Sequence, residues 1–212
     1  EIARKHGRTL LRTEKTTVEL TSHIIDYLNR ALAPQITRHG VLMNIYGQGV
    51  LMIGDSGIGK SESAIELIMR GHRLVADDAV EIKETNHGTL VASAPELIRH
   101  YIELRGIGVI DVRQLFGMSA IMEECQIDLV VQFEQWDETK IYDRLGLEDH
   151  HIEIMGVEVP CVTIPVRPGR NLASIVEVAA MNNRHRRYGF NAAQELAQRV
   201  DLRADLGSRK AK

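Results

Sequence analysis

The chain is poor in several residue types, and each shortage excludes something. Its 212 residues include two cysteines, five prolines and an aromatic share of 4%. Cys125 and Cys161 stand far apart with no CxxC pair, which argues against a disulfide framework or a cysteine zinc site. A reduced, cytoplasmic compartment is the expectation. So few aromatic rings leave no stock of stacking platforms for single-stranded nucleic acid. Charge of one sign is not in excess either. Against 26 Lys and Arg stand 29 Asp and Glu, a net charge of -3, so the basic footprint of a nucleic-acid binder is missing. Long apolar runs are also lacking. The longest uncharged stretch, Gly40 to Gly54, is shorter than the ~20 residues of a membrane-spanning helix. It also contains Asn44, Gln48 and four glycines. No signal peptide is expected at the start. What is there is ordinary for a folded α/β protein: 44% hydrophobic and 26% charged residues.

Residues 1–34 are expected to be the remnant of an N-terminal domain and a linking helix, because the chain opens on Glu1 rather than Met. Within them, Thr16-Thr17-Val18-Glu19 matches a capping box. Leu20, Ile24, Leu28 and Leu32 follow at spacing four, and Pro34 stops the helix, which is expected to pack on the domain that follows. Residues 35–200 read as the main domain. Val41 to Tyr46 and Val50 to Ile53 are apolar runs around Gly47-Gln48-Gly49, a hairpin that predicts a mixed sheet. A helix is expected over Ser61 to Arg70, stopped by Gly71, and then a short strand from Arg73 to Ala76. Val80 to Lys83 and Thr89 to Ala92 bracket a turn at Asn86-His87-Gly88. Pro95 predicts a helix start, running toward Leu104. Ile127 to Phe133 reads as a strand covered on both faces. Glu158 to Val166 reads as an edge strand, because Pro160 and Pro165 interrupt it. Leu172 to Arg187 reads as a helix. From Arg184 onward eight basic residues face three acidic ones, so the remainder of the chain is acidic. That basic end reads equally as a solvated helix or as a docking surface. Asp201 to Lys212 is expected to be a tail, without regular structure.

The strongest chemical signal is Gly54-Asp55-Ser56-Gly57-Ile58-Gly59-Lys60-Ser61, which fits G-x-x-x-x-G-K-[ST] at every fixed position. Glycines let the backbone close around a phosphate with its N–H groups inward. The next helix aims the positive end of its dipole at the same anion. Lys60 is placed for the β and γ phosphates of a nucleoside triphosphate, and the Ser61 hydroxyl for Mg2+. An apolar strand runs in and a helix runs out, as this motif requires.

Phosphoryl transfer also needs carboxylates for the metal and for the nucleophile's proton. Asp77-Asp78 follows a short apolar strand and fits that need. Glu103, read by itself, is a solvated helix end ahead of a strand, and His39 a turn histidine. Asp143-Arg144-Leu145-Gly146 has the D-x-x-G spacing of a GTPase switch. No apolar strand leads into it, and no N-K-x-D motif exists, so a GTPase is excluded. H-R-D and D-F-G are also missing, which excludes the eukaryotic protein-kinase pattern.

Six spaced blocks together resemble the bacterial HPr kinase/phosphorylase family. They are Arg38-His39-Gly40-Val41, the loop from Gly54 to Glu62, Arg70 to Asp78, Glu103 to Asp111, Tyr142 to Gly146, and Pro165 to Asn171. The resemblance runs from Thr16 to Tyr188 and implies a P-loop fold akin to phosphoenolpyruvate carboxykinase, with a mixed β-sheet flanked by helices. It implies an enzyme that phosphorylates a serine of the phosphocarrier HPr with ATP or pyrophosphate. The same enzyme would remove that phosphate with inorganic phosphate, releasing pyrophosphate, and would form a homo-hexamer. Carried onto this chain, the resemblance makes Asp78 the base, and the acid in reverse. It makes Lys60 and His39 phosphate neutralisers, and Ser61 and Glu103 the Mg2+ ligands with Asp77 close by. Arg144 would stabilise charge on the transferring group. Pro165, Val166, Arg167, Pro168, Gly169 and Arg170 would serve phosphorolysis, and Ile102 to Asp111 both directions. Neither nucleic acid nor a membrane is an expected partner. Two other readings share the phosphate loop: a small-molecule kinase or carboxykinase-like enzyme, and a non-catalytic ATP-gated regulator.

Overall fold

The computed structural model describes residues 2–85, 88–140, 142 and 149–200. The chain divides into two units, Glu1–Pro34 and Gln35–Lys212. The first unit holds two helices, α1 (Ile2–Lys5) and α2 (Thr17–Ala31). The expected capping box starts α2. Thr16 Oγ1 accepts from the Glu19 N–H at 3.3 Å, and the Glu19 carboxylate accepts from the Thr16 N–H at 2.9 Å.

The second unit alternates strands and helices. In chain order it contains β1 (Gln35–His39), β2 (Val41–Ile45), β3 (Gln48–Ile53), α3 (Lys60–Met69), β4 (Arg73–Ala76), β5 (Ala79–Thr85) and β6 (Thr89–Ser93). Then come β7 (Tyr101–Leu104), β8 (Gly108–Asp111), α4 (Val112–Phe116), β9 (Glu124–Gln126), β10 (Leu129–Gln135), β11 (His150–Ile154), β12 (Val157–Val166) and α5 (Leu172–Arg187). A six-stranded sheet runs β11-β12-β10-β3-β2-β4. β10 is parallel to β3 and β12, whereas β2 is antiparallel to β3 and β4, so the sheet is mixed as expected. A four-stranded sheet runs β1-β5-β6-β9, and β7 and β8 form a separate hairpin.

Strand alternation builds two cores from the same strands. Val41, Met43, Val50, Met52, Val131 and Phe133 turn one way and pack with Leu67 of α3 and Val176 of α5. Leu42, Leu51 and Val130 turn the other way and pack with Ile82, Leu90 and Ala92 of the four-stranded sheet. Both faces of β2, β3 and β10 are therefore covered, which is why these segments read as unbroken apolar runs. Each fully buried Leu, Val or Phe there contributes about 1.5–3 kcal/mol.

α3 and α5 are tied to each other by polar contacts. Glu177 of α5 accepts from Arg70 and pairs with buried His72 Nε2 at 2.8 Å. Asn171 caps α5 by accepting from the Ser174 N–H at 2.8 Å, and its amide donates to Glu66 of α3 at 2.6 Å.

Three expectations fail. The helix read from Pro95 toward Leu104 is a 3-10 turn over Glu96–Ile98 followed by strand β7. Buried Ile102 and Leu104 alternate with outward Tyr101 and Glu103, a period of two that the Pro95 start signal masked. Glu103 accordingly lies on a strand and not at a helix end. Third, β12 is no edge strand, for it pairs with β10 on one side and β11 on the other. Each strand residue aims its N–H at one neighbour only, so a proline removes one bond from one ladder and the other ladder continues. The basic end of α5 is largely neutralised within the domain. Arg186 pairs with Asp149 at 2.6 Å, Arg187 pairs with Asp128, and Arg184 donates to the Tyr46 carbonyl at 3.3 Å. Arg144, the Asn86-His87 turn positions and the tail 201–212 lie outside the described residues.

Candidate active site

β3 delivers the chain into the Gly54–Gly59 loop, and α3 leaves it at Lys60. Glycine is obligatory in this loop for two separate reasons. Gly54 has φ +142°, and a Cβ there would sit 2.5 Å from the Phe133 carbonyl oxygen. Gly57 has φ +80°, and a Cβ there would sit 2.3 Å from the Arg105 guanidinium. Lys60, 6% exposed, folds back on the loop. Its ammonium donates to the Gly54 and Asp55 carbonyls at 2.8 and 3.0 Å. Burial holds its pKa below the usual lysine range, against the opposing pull of Asp77 and Asp55.

One cleft beside this loop is lined by His39, Ser56, Lys60, Ser61, Asp77, Asp78, Glu103 and Arg105, among others. Residues from four separate stretches of sequence thus converge. Asp77 follows the last residue of β4 and is 6% exposed. Its Oδ1 accepts from the Ser61 hydroxyl at 2.9 Å, and its Oδ2 accepts from the Glu103 backbone N–H at 3.0 Å. Burial raises its pKa above the usual aspartate value, the two hydrogen bonds oppose that rise, and the like charge of Asp78 adds to it. Asp78 adopts a left-handed φ of +67°, a conformation that Asp tolerates better than most residues. The kink turns β4 into β5, and the Asp78 carbonyl accepts from the Gly40 N–H at 3.1 Å. Its side chain is 70% exposed at the cleft rim. β1 and β5 pair His39 with Ala79, which sets the His39 ring beside Asp78, Nδ1 to Oδ1 at 3.0 Å.

The donors Ser61, Asp77 and Glu103 are hard oxygens of the kind Mg2+ takes. Among the described residues no three His, Cys, Asp or Glu side chains cluster to hold an ion unaided. The chemistry of this donor set fits Mg2+.

The Pro165–Arg170 segment reaches the same loop from another side. It leaves β12, whose Val166 carbonyl accepts from the Trp136 backbone N–H at 3.2 Å. Arg170 donates back to the Pro165 carbonyl at 2.7 Å. Arg167 lies over the Trp136 ring, 3.3 Å from its centroid. Sequence reasoning passed over two residues here. Arg105 donates to the Ser56 hydroxyl at 3.1 Å and lies across the phosphate loop, and its only signal was its place beside Glu103. Trp136 had the signal of being the single tryptophan.

Among the described residues no helix is long and apolar enough to cross a membrane. The family described as HPr Serine kinase C-terminal domain matches residues 30–200. The chain is 58% identical over 200 residues to the HPr kinase/phosphorylase of Caldanaerobacter subterraneus subsp. tengcongensis, covering 94% of this chain and 66% of that protein. It is 55% identical over 208 residues to the HPr kinase/phosphorylase of Caldicellulosiruptor bescii, covering 98% and 67%. It thus spans about two thirds of the length of these relatives. The HPr(Ser) kinase/phosphatase structure from Coxiella burnetii superposes with a TM-score of 0.69 at 34% identity, covering 76% of this chain and 98% of that one. With the P-loop, the paired aspartates and the Pro165–Arg170 segment brought around one loop, and with these relatives, the chain belongs to the HPr serine kinase C-terminal domain family.

Proposed function

We propose that this domain transfers the γ-phosphoryl group of ATP, or a phosphoryl group of pyrophosphate, to a serine of HPr or a related phosphocarrier. We propose also that it removes the group by phosphorolysis. One observation carries the reading: the exposed Asp78 carboxylate, held by His39, stands in the same cleft as the phosphate loop and Lys60. A protein serine must enter from solvent, so the proton acceptor has to be at the rim, and the anion has to be deeper.

In the kinase direction Asp78 accepts the seryl proton as the serine oxygen bonds the γ phosphorus and the bond to the β-phosphate oxygen breaks. ADP leaves. In phosphorolysis an oxygen of inorganic phosphate bonds the phosphoserine phosphorus, the phosphorus–serine oxygen bond breaks, and Asp78 returns the proton to that oxygen. Pyrophosphate leaves. One carboxylate serves as base and then acid under the same geometry. The transition state is loose, so positioning and positive charge matter more than covalent chemistry. Lys60, the loop N–H groups and Arg105 supply that charge, and Arg144 joins them in this reading. Ser61, Glu103 and neighbouring Asp77 would hold Mg2+, which neutralises phosphate charge when bound. His39 keeps Asp78 aimed and adds positive potential when protonated. The same resemblance proposes a hexamer.

The test is transfer from labelled ATP to purified HPr in the presence of Mg2+, followed by added phosphate. Labelled serine, then its loss with pyrophosphate released, is the expected result. ATP binding without any transfer would move the reading to a nucleotide-gated regulator, and transfer to a small molecule alone would move it to a carboxykinase-like enzyme.

A further inference from the structure

Two of the sequence blocks carry side chains that phosphoryl transfer leaves unused. Arg70 closes α3, the helix that leaves the phosphate loop, and Asn171 follows the Pro165–Arg170 segment. The two meet at Glu66 of α3. Its Oε1 accepts from the Asn171 amide at 2.6 Å and from Arg70 at 2.6 Å. The hydrogen bond from Asn171 holds the Glu66 carboxyl below the usual glutamate range, burial opposes it, and Arg70 adds to it. Asn171 Oδ1 meanwhile caps α5 by accepting from the Ser174 N–H, so one side chain joins two helices. One residue on, Leu172 Cδ1 lies 3.4 Å from where a Cβ on Gly59 would stand, at the residue that caps α3. The segment is also closed on itself, because Arg170 donates to the Pro165 carbonyl at 2.7 Å.

We infer that Asn171 and Glu66 are positioning residues for phosphorolysis: their hydrogen bond sets the Pro165–Arg170 segment against the phosphate loop. The inference rests on the reading in which that segment serves phosphorolysis. A segment closed on itself moves as one piece, so its place depends on its two exits. β12 ties the first exit to the sheet by pairing with β10. Asn171 ties the second to α3, whose first turn carries Lys60 and Ser61. An attacking inorganic phosphate has to meet the cations of the segment and of the loop at once, so their spacing sets how well it is held. The kinase direction depends on the loop and Asp78. Loosening the junction should therefore weigh on one direction and spare the other, although neither Asn171 nor Glu66 touches the reacting atoms.

Two variants separate this role from the helix cap. Asn171→Ser keeps a capping hydroxyl for α5 but is too short to reach Glu66. Glu66→Ala removes the acceptor and leaves the cap untouched. Each is assayed with ATP and HPr in one direction, and with phosphoserine-HPr and inorganic phosphate in the other. Each is expected to raise the KM for phosphate about fivefold, the worth of one partly exposed hydrogen bond, with kcat of phosphorolysis held within about twofold. Kinase-direction kcat/KM for ATP is expected to stay within about twofold as well. The double variant is expected to do no more than either single one, because one bond can be lost only once. An unchanged KM for phosphate in both single variants would overturn the inference. So would equal losses in the two directions, which a purely structural junction would give, and so would additive effects in the double variant. If Asn171→Ser unfolds early in urea, Glu66→Ala decides by itself. An unaltered chain that labels HPr but performs no phosphorolysis would sink the reading of the segment and this inference together, and that outcome shows before any variant is made.

Discussion

The inner wall and the rim of the cleft use the same residue type in opposite ways. Asp77 is buried, with one oxygen held by a hydroxyl and the other by a backbone N–H. Asp78, the next residue, is 70% exposed on its side chain and pairs with His39. A single left-handed residue at the end of β4 makes the difference, by throwing one carboxylate inward and its neighbour outward. Buried groups are fixed, and fixed groups suit charge and metal positioning. An exposed group reaches a proton carried in by a partner. The comparison teaches that adjacency in sequence says little about role when the backbone reverses between two residues.

The comparison can be broken at either end. The largest effect is expected from the inner wall's cation. Lys60→Ala should lower phosphoryl transfer about 10³-fold, because a preorganised charge next to the developing anion is lost. Transfer of label to a serine measures it, and wild-type rates would remove Lys60 from the site. Next comes the rim. Asp78→Asn should lower transfer by about 10²-fold, within the usual worth of a general base, while calorimetry still shows nucleotide binding.

Stability should order the two aspartates the other way. Asp77→Ala orphans the Ser61 hydroxyl and the Glu103 N–H, and should cost about 1–3 kcal/mol in urea unfolding. Asp78→Asn keeps a residue that tolerates the left-handed φ, removes only an exposed charge and should stay within about 0.5 kcal/mol. Equal losses would dissolve the contrast between wall and rim. The smallest effect is the pH dependence. The folded pKa of Asp77 is raised by burial above its ordinary value of 3.8. The folded state then binds more protons than the unfolded state between those two values. Stability from this group falls as pH rises through that window, and the penalty is complete above the folded pKa. The unfolding free energy of wild type relative to Asp77→Asn should decline with rising pH there, and a rise would contradict the burial.

Much of the site was legible because its signals are local. The phosphate loop depends on positive φ at Gly54, Gly57 and Gly59, on close approach of neighbouring atoms at the first two, and on a following helix, so spacing alone reveals it. α5 was readable over its full length, Leu172–Arg187, from its inward stripe of Ile175, Val176, Ala179 and Ala180. β1 was not readable, because Gln35–His39 is polar and mostly exposed and becomes a strand only through pairing with β5. β7 was misread as helix because a proline start signal outweighed a four-residue alternation. β12 was misread as an edge because proline content says nothing about which neighbours a strand will find. The convergence of His39, Asp78, Glu103 and Arg105 is set by sheet pairing between distant segments, which no single-sequence spacing encodes. It came instead from resemblance to a family, and for Arg105 and Trp136 from the structure.

The most direct measurement is single-turnover transfer by Asp78→Asn in both directions, with ATP and HPr in one arm and phosphoserine-HPr and inorganic phosphate in the other. If one carboxylate serves as base and acid, both rates fall by the same factor to within about threefold, and ATP and phosphate binding persist. Loss of one direction with the other retained would show two proton-transfer groups and contradict the account.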